Sequence, residues 1–281
     1  MLAPTILEKS KNAPQRRKRL QRRVLLADPS QEYLVYVPST GGDHAPLVVS
    51  VHGISRNADQ HARLLSTYSE MYGAVLVAPI FSVEQHPDYQ RLGRVGRGKR
   101  ADLALNMIVA EVATMTGPAA EKFHLFGFSG GAQFVHRYVM ANPHRVAGAV
   151  MAAAGWYTFP DATRRFPYGT RMTKKLPSVR FDAEEFLSVP MTVMVGADDD
   201  SQSGLRRSAR LDREQGVTRV ERARRWVEAM KASAAAHHLE SMVSYEEIEN
   251  CNHSFKRSIL RGGLGDRVFN AILGAAPTNK H

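Results

Sequence analysis

The sequence has little cysteine and no long apolar run. Cys251 is the only cysteine among 281 residues, so no disulfide can form within the chain, which fits a reducing compartment. No apolar stretch is long enough to cross a membrane or to act as a secretory signal. We therefore expect a cytoplasmic protein with no transmembrane segment.

Motifs that hold metals or phosphates are also missing. The zinc-binding pattern HExxH does not occur, and the adjacent side chains of His237 and His238 would diverge on a helix. Residues 93–99, GRVGRGK, have the spacing of a phosphate-binding loop, but Arg100 stands where a serine or threonine must bind magnesium. We expect neither a metal nor a cofactor.

Acidic residues are too few to balance the basic ones, and the formal net charge is +11. Residues 1–24 hold eight lysines or arginines against one glutamate, and residues 91–100 hold five and no acid. Neither segment has the interleaved aromatics with which single-strand binders stack bases. We interpret residues 1–24 as a flexible solvated arm and residues 91–100 as a mobile loop. The alternative is that residues 1–24 bind nucleic acid or an anionic surface.

Apolar strand patterns alternate with helical patterns along most of the chain. After an early hairpin that turns at residues 28–30, strands are predicted at 46–52, 74–79, 123–129, 146–155, 190–196 and 242–248, and helices at 58–72, 102–115, 130–142, 218–238 and 264–274. Buried strands separated by helices indicate an α/β fold, with a mostly parallel central sheet and helices on both faces. One domain over residues 25–281 is expected, in which residues 157–189 form a small cap or a surface excursion.

A glycine-flanked serine follows one of these strands. Residues 124–131, HLFGFSGG, place Ser129 between Gly127 and Gly131 in the pattern GxSxG, and a helical pattern follows. This pattern is typical of a nucleophile elbow, a sharp strand-to-helix turn that holds the serine in a strained conformation. A side chain at either glycine would clash with the turn.

Acyl transfer by a serine needs a base for its proton and an acid that orients the base. His253 follows the last predicted strand, and the acidic run of Asp198, Asp199 and Asp200 follows the strand at 190–196. Active sites of parallel sheets lie beyond the carboxyl ends of the strands. The three kinds of side chain are therefore expected at one edge of the sheet.

With these motifs, the chain resembles the α/β-hydrolases from about residue 33 to residue 274. The resemblance implies that Ser129 is the nucleophile. It also implies that His253 is the base, because only this histidine lies between the final strand and the final helix. The family's usual GxxD arrangement selects Asp199 as the acid, with Asp198 as the alternative.

The resemblance also implies an oxyanion hole made of two backbone N–H groups. One belongs to Gly130, directly after the nucleophile. The other is assigned to Ile54, because residues 52–55, HGIS, resemble the HG motif of the family. His52 is expected to orient this loop rather than to abstract a proton.

Three aromatic side chains follow the strand after the elbow helix. Trp156, Tyr157 and Phe159 are predicted to line the substrate pocket, and packing within a loop is an equally good interpretation. An aromatic lining would favour an aromatic or medium-chain ester over a highly charged one.

The resemblance implies a serine hydrolase that cleaves small carboxylic esters through an acyl-enzyme. Within the superfamily, the short HG loop and the small insert are most similar to polyhydroxyalkanoate-depolymerase-like and feruloyl-esterase-like enzymes. Acyltransferases, thioesterases and peptidases use the same residues, and a non-catalytic ligand-binding or interaction protein of this fold is the rival hypothesis.

Overall fold

The structure, a computed structural model, describes residues 19–116, 122–202 and 204–275. The strands within these ranges are β1 (Leu20–Leu25), β2 (Asp28–Tyr36), β3 (Leu47–Val51), β4 (Val75–Ile80), β5 (Phe123–Phe128), β6 (Val146–Ala152), β7 (Met191–Gly196) and β8 (Val243–Ile248). The α-helices are α1 (Ala58–Met71), α2 (Ala101–Met115), α3 (Gly130–Ala141), α4 (Ala183–Leu187), α5 (Ala209–Gln215), α6 (Arg219–Ala236), α7 (Phe255–Arg261) and α8 (Leu264–Leu273). Over these ranges no helix combines the length and apolar character needed to span a membrane.

The strands form one sheet in the order β1-β2-β4-β3-β5-β6-β7-β8. Strands β3 to β8 are parallel to their neighbours, whereas β1 and β2 form an antiparallel edge next to β4. The predicted α/β class and mostly parallel sheet are confirmed. The carboxyl ends of β3, β5, β7 and β8 meet at the same edge, where the predicted site residues follow them.

Helices cover both faces of the sheet because alternate side chains of each strand point to opposite sides. On β3, Val49 and Val51 belong to the core that packs against α2, α3 and α6, whereas Val48 belongs to the core that contains side chains of α1, α7 and α8. All three valines are fully buried. Continuous apolar strands are therefore explained by burial on both faces.

The antiparallel edge corrects the predicted boundary of the basic arm. Residues 20–24, assigned to a flexible arm, belong to β1, which pairs with β2 and turns at residues 26–27 rather than 28–30. Arg22 forms ion pairs with Glu32 and Asp59, so this charge is compensated locally. Residues 1–18 lie outside the described residues, and the binding role of the arm stays a prediction.

The second basic segment is not the mobile loop that its composition suggested. Asp88, only 3% exposed, accepts hydrogen bonds from the guanidinium groups of Arg91 and Arg94. At the other end, Lys99 contacts Asp28 and Arg100 contacts Asp102. Because a buried carboxylate is stable only with charged or hydrogen-bonding partners, these contacts fix the path of the loop.

Residues 157–189 contribute to the core between their irregular turns. Phe166, Leu176, Val179 and Phe186 are buried in the cluster that also contains side chains of α3 and α6. A role as a cap stays a prediction.

Candidate active site

Ser129 lies at the junction of β5 and α3 in a conformation that few residues adopt. Its φ is +54°, in a region that is unfavourable for a side chain with a Cβ atom. The Ser129 N–H donates to the carbonyl oxygen of Ala152, at 2.8 Å, which ties the turn to the end of β6. The strand before the serine and the helix after it confirm the structural context predicted for the elbow.

The flanking glycines are required by close backbone contacts. A Cβ atom on Gly131 would lie 1.9 Å from the carbonyl oxygen of Val51, and one on Gly127 would lie 2.4 Å from the backbone of Gly131. Neither backbone can yield easily because both belong to the central elements β3 and α3. The predicted clash of any side chain at these positions is confirmed.

The structure brings Ser129, His253 and Asp199 together across the carboxyl edge of the sheet. The Ser129 Oγ lies 3.0 Å from the His253 Nε2, and the His253 Nδ1 lies 2.7 Å from the Asp199 Oδ2. Since the carboxylate can only accept, the Nδ1 carries the proton and the Nε2 is free to accept one from the serine. Asp198, the alternative acid, is exposed and Asp199 is fully buried.

The buried carboxylate has a second partner that the sequence did not reveal. The Arg219 Nη1 donates to the Asp199 Oδ1 at 3.0 Å and to the Ser201 carbonyl oxygen at 2.9 Å. Arg219 is the first residue of α6, directly after its N-cap Thr218, and its side chain is 2% exposed. No spacing or motif distinguishes Arg219 from the other arginines of this helix.

The predicted oxyanion donors lie on adjoining turns. A Cβ atom added to Gly130 would come within 2.9 Å of the Ile54 Cγ2, and one added to Gly53 would lie 3.5 Å from the Ser129 Cβ. The loop that carries Ile54 therefore packs directly against the elbow. Gly130 begins α3, where the partial positive charge of a helix N-terminus favours an anion.

His52 fixes the peptide that joins Gly53 to Ile54. The Phe81 N–H donates to the His52 Nε2 at 3.1 Å, so the proton lies on Nδ1, which donates to the Gly53 carbonyl oxygen at 2.9 Å. The Arg56 N–H donates to the same oxygen at 3.1 Å. Because the C=O and N–H of a trans peptide point in opposite directions, holding this oxygen also sets the direction of the Ile54 N–H.

The His52 ring is fully buried, and burial lowers its pKa to about 4. It therefore stays neutral near pH 7, which suits a group that orients the loop.

Two cavities meet at the serine. The first, of about 450 Å³, is bounded by Phe128, His253 and Lys256, and the second, of about 420 Å³, by Trp156 and Arg206. Both are lined by the same four residues at their junction, Ile54, Ser129, Gly204 and Arg219. An ester bond at Ser129 would thus have room for a group on each side.

The three aromatic candidates have different positions. Trp156 lines the second cavity. Tyr157 is fully buried and stacks on Trp226 at 4.9 Å between ring centroids, while Phe159 packs against the core, and neither lines the two cavities. Tyr157 and Phe159 therefore have the packing role that the sequence left open.

Among the described residues, no group of three or more histidine, cysteine, aspartate or glutamate side chains is arranged to hold a metal ion. The site is built from the elbow, the buried carboxylate and the loop after β3.

No family model matches the sequence, and neither does any curated protein. Solved structures do match. Poly(aspartic acid) hydrolase-1 from Sphingomonas sp. KT-1 is 24% identical, with a TM-score of 0.73, over 85% of this chain and 93% of that one. LpqC, a poly(3-hydroxybutyrate) depolymerase from Bordetella parapertussis, is 25% identical, with a TM-score of 0.73, over 89% of this chain and 86% of that one. A ferulic acid esterase is 10% identical, with a TM-score of 0.56, over 86% of this chain and 91% of that one.

The fold and these likenesses define an α/β-hydrolase, which confirms the resemblance found in the sequence. Several of the similar structures are named as hydrolases, depolymerases or esterases.

Proposed function

We propose that the protein is a serine hydrolase that cleaves carboxylic esters through a triad of Ser129, His253 and Asp199. The observation that carries the proposal is the unbroken path of hydrogen-bond contacts from the Ser129 Oγ through both His253 nitrogens to the Asp199 carboxylate. A neutral serine is a weak nucleophile, and an oriented base within about 3 Å is what activates it.

In the proposed reaction, the Ser129 Oγ attacks the ester carbonyl carbon while its proton moves to the His253 Nε2. The carbonyl oxygen becomes negative and accepts hydrogen bonds from the N–H groups of Ile54 and Gly130. The imidazolium then gives its proton to the departing alcohol, which leaves an acyl-enzyme on Ser129. Water, deprotonated by the same nitrogen, releases the acid and restores the serine.

The named activities of two of the similar structures support ester chemistry at this site. One is called a poly(3-hydroxybutyrate) depolymerase and another a ferulic acid esterase. These two match the classes that the HG loop and small insert suggested, so a hydroxyacid or an aryl-acid ester is the proposed substrate class. The two cavities that meet at Ser129 support an ester with a substituent on both sides of the scissile bond.

Steady-state hydrolysis of p-nitrophenyl esters, hydroxyacid esters and ferulate esters tests the proposal. Ser129→Ala should lower kcat/KM by at least about a thousandfold, because the triad acts as a unit. Ser66→Ala, at a partly exposed serine on α1 that lines neither cavity, is the matched control and should keep full activity. If wild-type protein hydrolyses no ester in the panel, or if Ser129→Ala remains active, the proposal is wrong.

A further inference from the structure

A third cavity, lined by arginines, lies next to the second one. The third cavity, of about 310 Å³, shares Arg91, Trp156 and Arg206 with the second and adds Arg94 and Arg97. The cavity at the nucleophile therefore shares an indole ring and two guanidinium groups with a neighbouring cavity that adds two more guanidinium groups. We call these four side chains the arginine cluster.

The positive charge of the arginine cluster exceeds the negative charge beside it. Arg91 and Arg94 share a single carboxylate, that of Asp88. Arg97 and Arg206 form no ion pair with any carboxylate of the described residues, and both are exposed. Four guanidinium groups around one carboxylate leave a cavity with a strongly positive potential, which concentrates anions.

A fifth arginine adds to this potential from below the cavity wall. Arg137 is fully buried, and its guanidinium carbon lies 4.2 Å from the centre of the Trp156 ring. The Arg137 Nε and Nη1 donate to oxygens of Thr158, Gln90 and Gln133, but the Nη2 has no hydrogen-bond partner. Burial lowers the pKa of Arg137, and the positive charges of its neighbours in the cluster lower it further.

Trp156 lies next to both this buried charge and the arginine cluster. Arg206 also approaches the Trp156 ring, at 5.4 Å from its centre, so both guanidinium groups interact with one indole. Because the cluster holds four guanidinium groups against one carboxylate, an anion bound among them would reduce the repulsion between like charges. Guanidinium groups suit a carboxylate because they offer two parallel N–H donors to its two oxygens.

We propose that the ester substrate carries a carboxylate, and that this carboxylate binds the arginine cluster while the scissile bond lies at Ser129. The inference rests on the proposed hydrolase function and names its substrate class. Trp156 covers the stretch between the ester and the carboxylate. The aromatic lining alone suggested an aromatic or medium-chain ester rather than a highly charged one, and the arginines beside Trp156 add a site for a single carboxylate.

Paired substrates with one difference in charge test this proposal. On the acyl side, the mono-p-nitrophenyl esters of adipate, suberate and sebacate are compared with the same esters methylated at the far carboxylate. On the leaving-group side, 4-acetoxybenzoate is compared with its methyl ester. In at least one arm, the carboxylate form should have a kcat/KM at least about tenfold higher, and this preference should fall as ionic strength rises.

The double variant Arg97→Gln/Arg206→Gln should remove most of that preference, because the carboxylate forms should lose far more of their kcat/KM than the methylated esters do. Arg180→Gln is the matched control, since Arg180 is exposed and lines neither the second nor the third cavity. Equal or slower turnover of both carboxylate forms by wild-type protein, or a preference that survives in the double variant, would overturn the proposal.

A binding measurement separates failure of this inference from failure of the proposed function. Calorimetry with Ser129→Ala should show tighter binding of the carboxylate ester than of its methylated form, and the double variant added to Ser129→Ala should lose the difference. Charge-dependent binding without turnover would contradict the hydrolase function alone. Turnover without any charge dependence would contradict the carboxylate site alone.

Discussion

The Arg219 Nη1 lies 3.0 Å from the Asp199 Oδ1, and both side chains are buried. The other oxygen of Asp199 faces the Nδ1 of His253. The carboxylate therefore has a fixed partner on each oxygen, and it cannot rotate without breaking one of these contacts. We therefore propose that Arg219 is a positioning residue that acts on the serine through Asp199 and His253.

Arg219→Met should lower kcat by about a hundredfold, because a carboxylate that can rotate no longer holds the imidazole in line with the serine. It should also reduce the free energy of unfolding by about 3 kcal/mol, since a buried charge loses its partner. Arg219→Lys should recover part of both losses. The measurements are steady-state ester hydrolysis and urea unfolding, and an unchanged kcat in a destabilised Arg219→Met would show a structural role only.

His52→Ala should lower kcat by roughly ten- to a hundredfold with little change in KM, because the Gly53–Ile54 peptide loses one of the two donors that fix it. The neutral His52 is not expected to take the serine proton. His124→Ala is the control, since His124 lies at the opposite end of β5 from the site. Ester kinetics that are equal for His52→Ala and His124→Ala would contradict the role given to His52.

Stability should fall as the solution becomes acidic, and His86 offers one measurable cause. Burial lowers the pKa of His86 to about 4, and its Nε2 contacts the Gln31 Oε1 at 2.7 Å. Between its ordinary value of about 6.5 and about 4, the unfolded chain binds a proton that the folded chain does not. His86 therefore does not lower the free energy of unfolding above pH 6.5, and it lowers this free energy increasingly as the pH falls below 6.5.

His86→Asn should therefore reduce the loss of unfolding free energy between pH 7 and pH 5 by about 2 kcal/mol. The test compares urea unfolding of wild-type protein and His86→Asn at the two pH values. His144→Asn, at an exposed histidine, should show the same difference in unfolding free energy between pH 7 and pH 5 as the wild-type protein. A pH dependence that is the same in all three proteins would show that His86 titrates alike in the folded and unfolded chains.

Gly131→Ala should destabilise the protein by about 3 kcal/mol or more, because its methyl group would overlap the carbonyl of Val51. Gly148→Ala on β6 is the matched comparison, since the nearest atom to an added Cβ there is the His124 Nδ1 at 3.6 Å. That substitution should change the unfolding free energy by less than about 1 kcal/mol. Urea unfolding checks both, and similar midpoints would contradict the close packing of the elbow on β3.

The positions of Ser129 and His253 could be predicted because each follows a recognisable strand, although only β5 is an apolar run buried along most of its length. Parallel strands bring their carboxyl ends to one edge, so chain order was enough to place these residues together. The contact of Asp199 with His253 agrees with the choice that the GxxD spacing favoured.

Arg219 and the arginine cluster could not be predicted in the same way. Arg219 reaches Asp199 only because α6 begins beside the loop after β7, and Arg206 meets Arg91 only because two loops from distant parts of the chain approach Trp156. Such approaches depend on tertiary packing and leave no local pattern. The boundary of β1 was misplaced for a related reason, since Arg22 is neutralised by carboxylates on β2 and α1.

The central claim is that Ser129 is the nucleophile, and covalent labelling with a fluorophosphonate tests it most directly. Intact-mass spectrometry and peptide mapping should find one adduct, located on Ser129. The adduct should be absent in Ser129→Ala and should form much more slowly in His253→Ala, because the serine is then no longer activated. An unlabelled wild-type protein, or an adduct that persists in Ser129→Ala, would contradict the account.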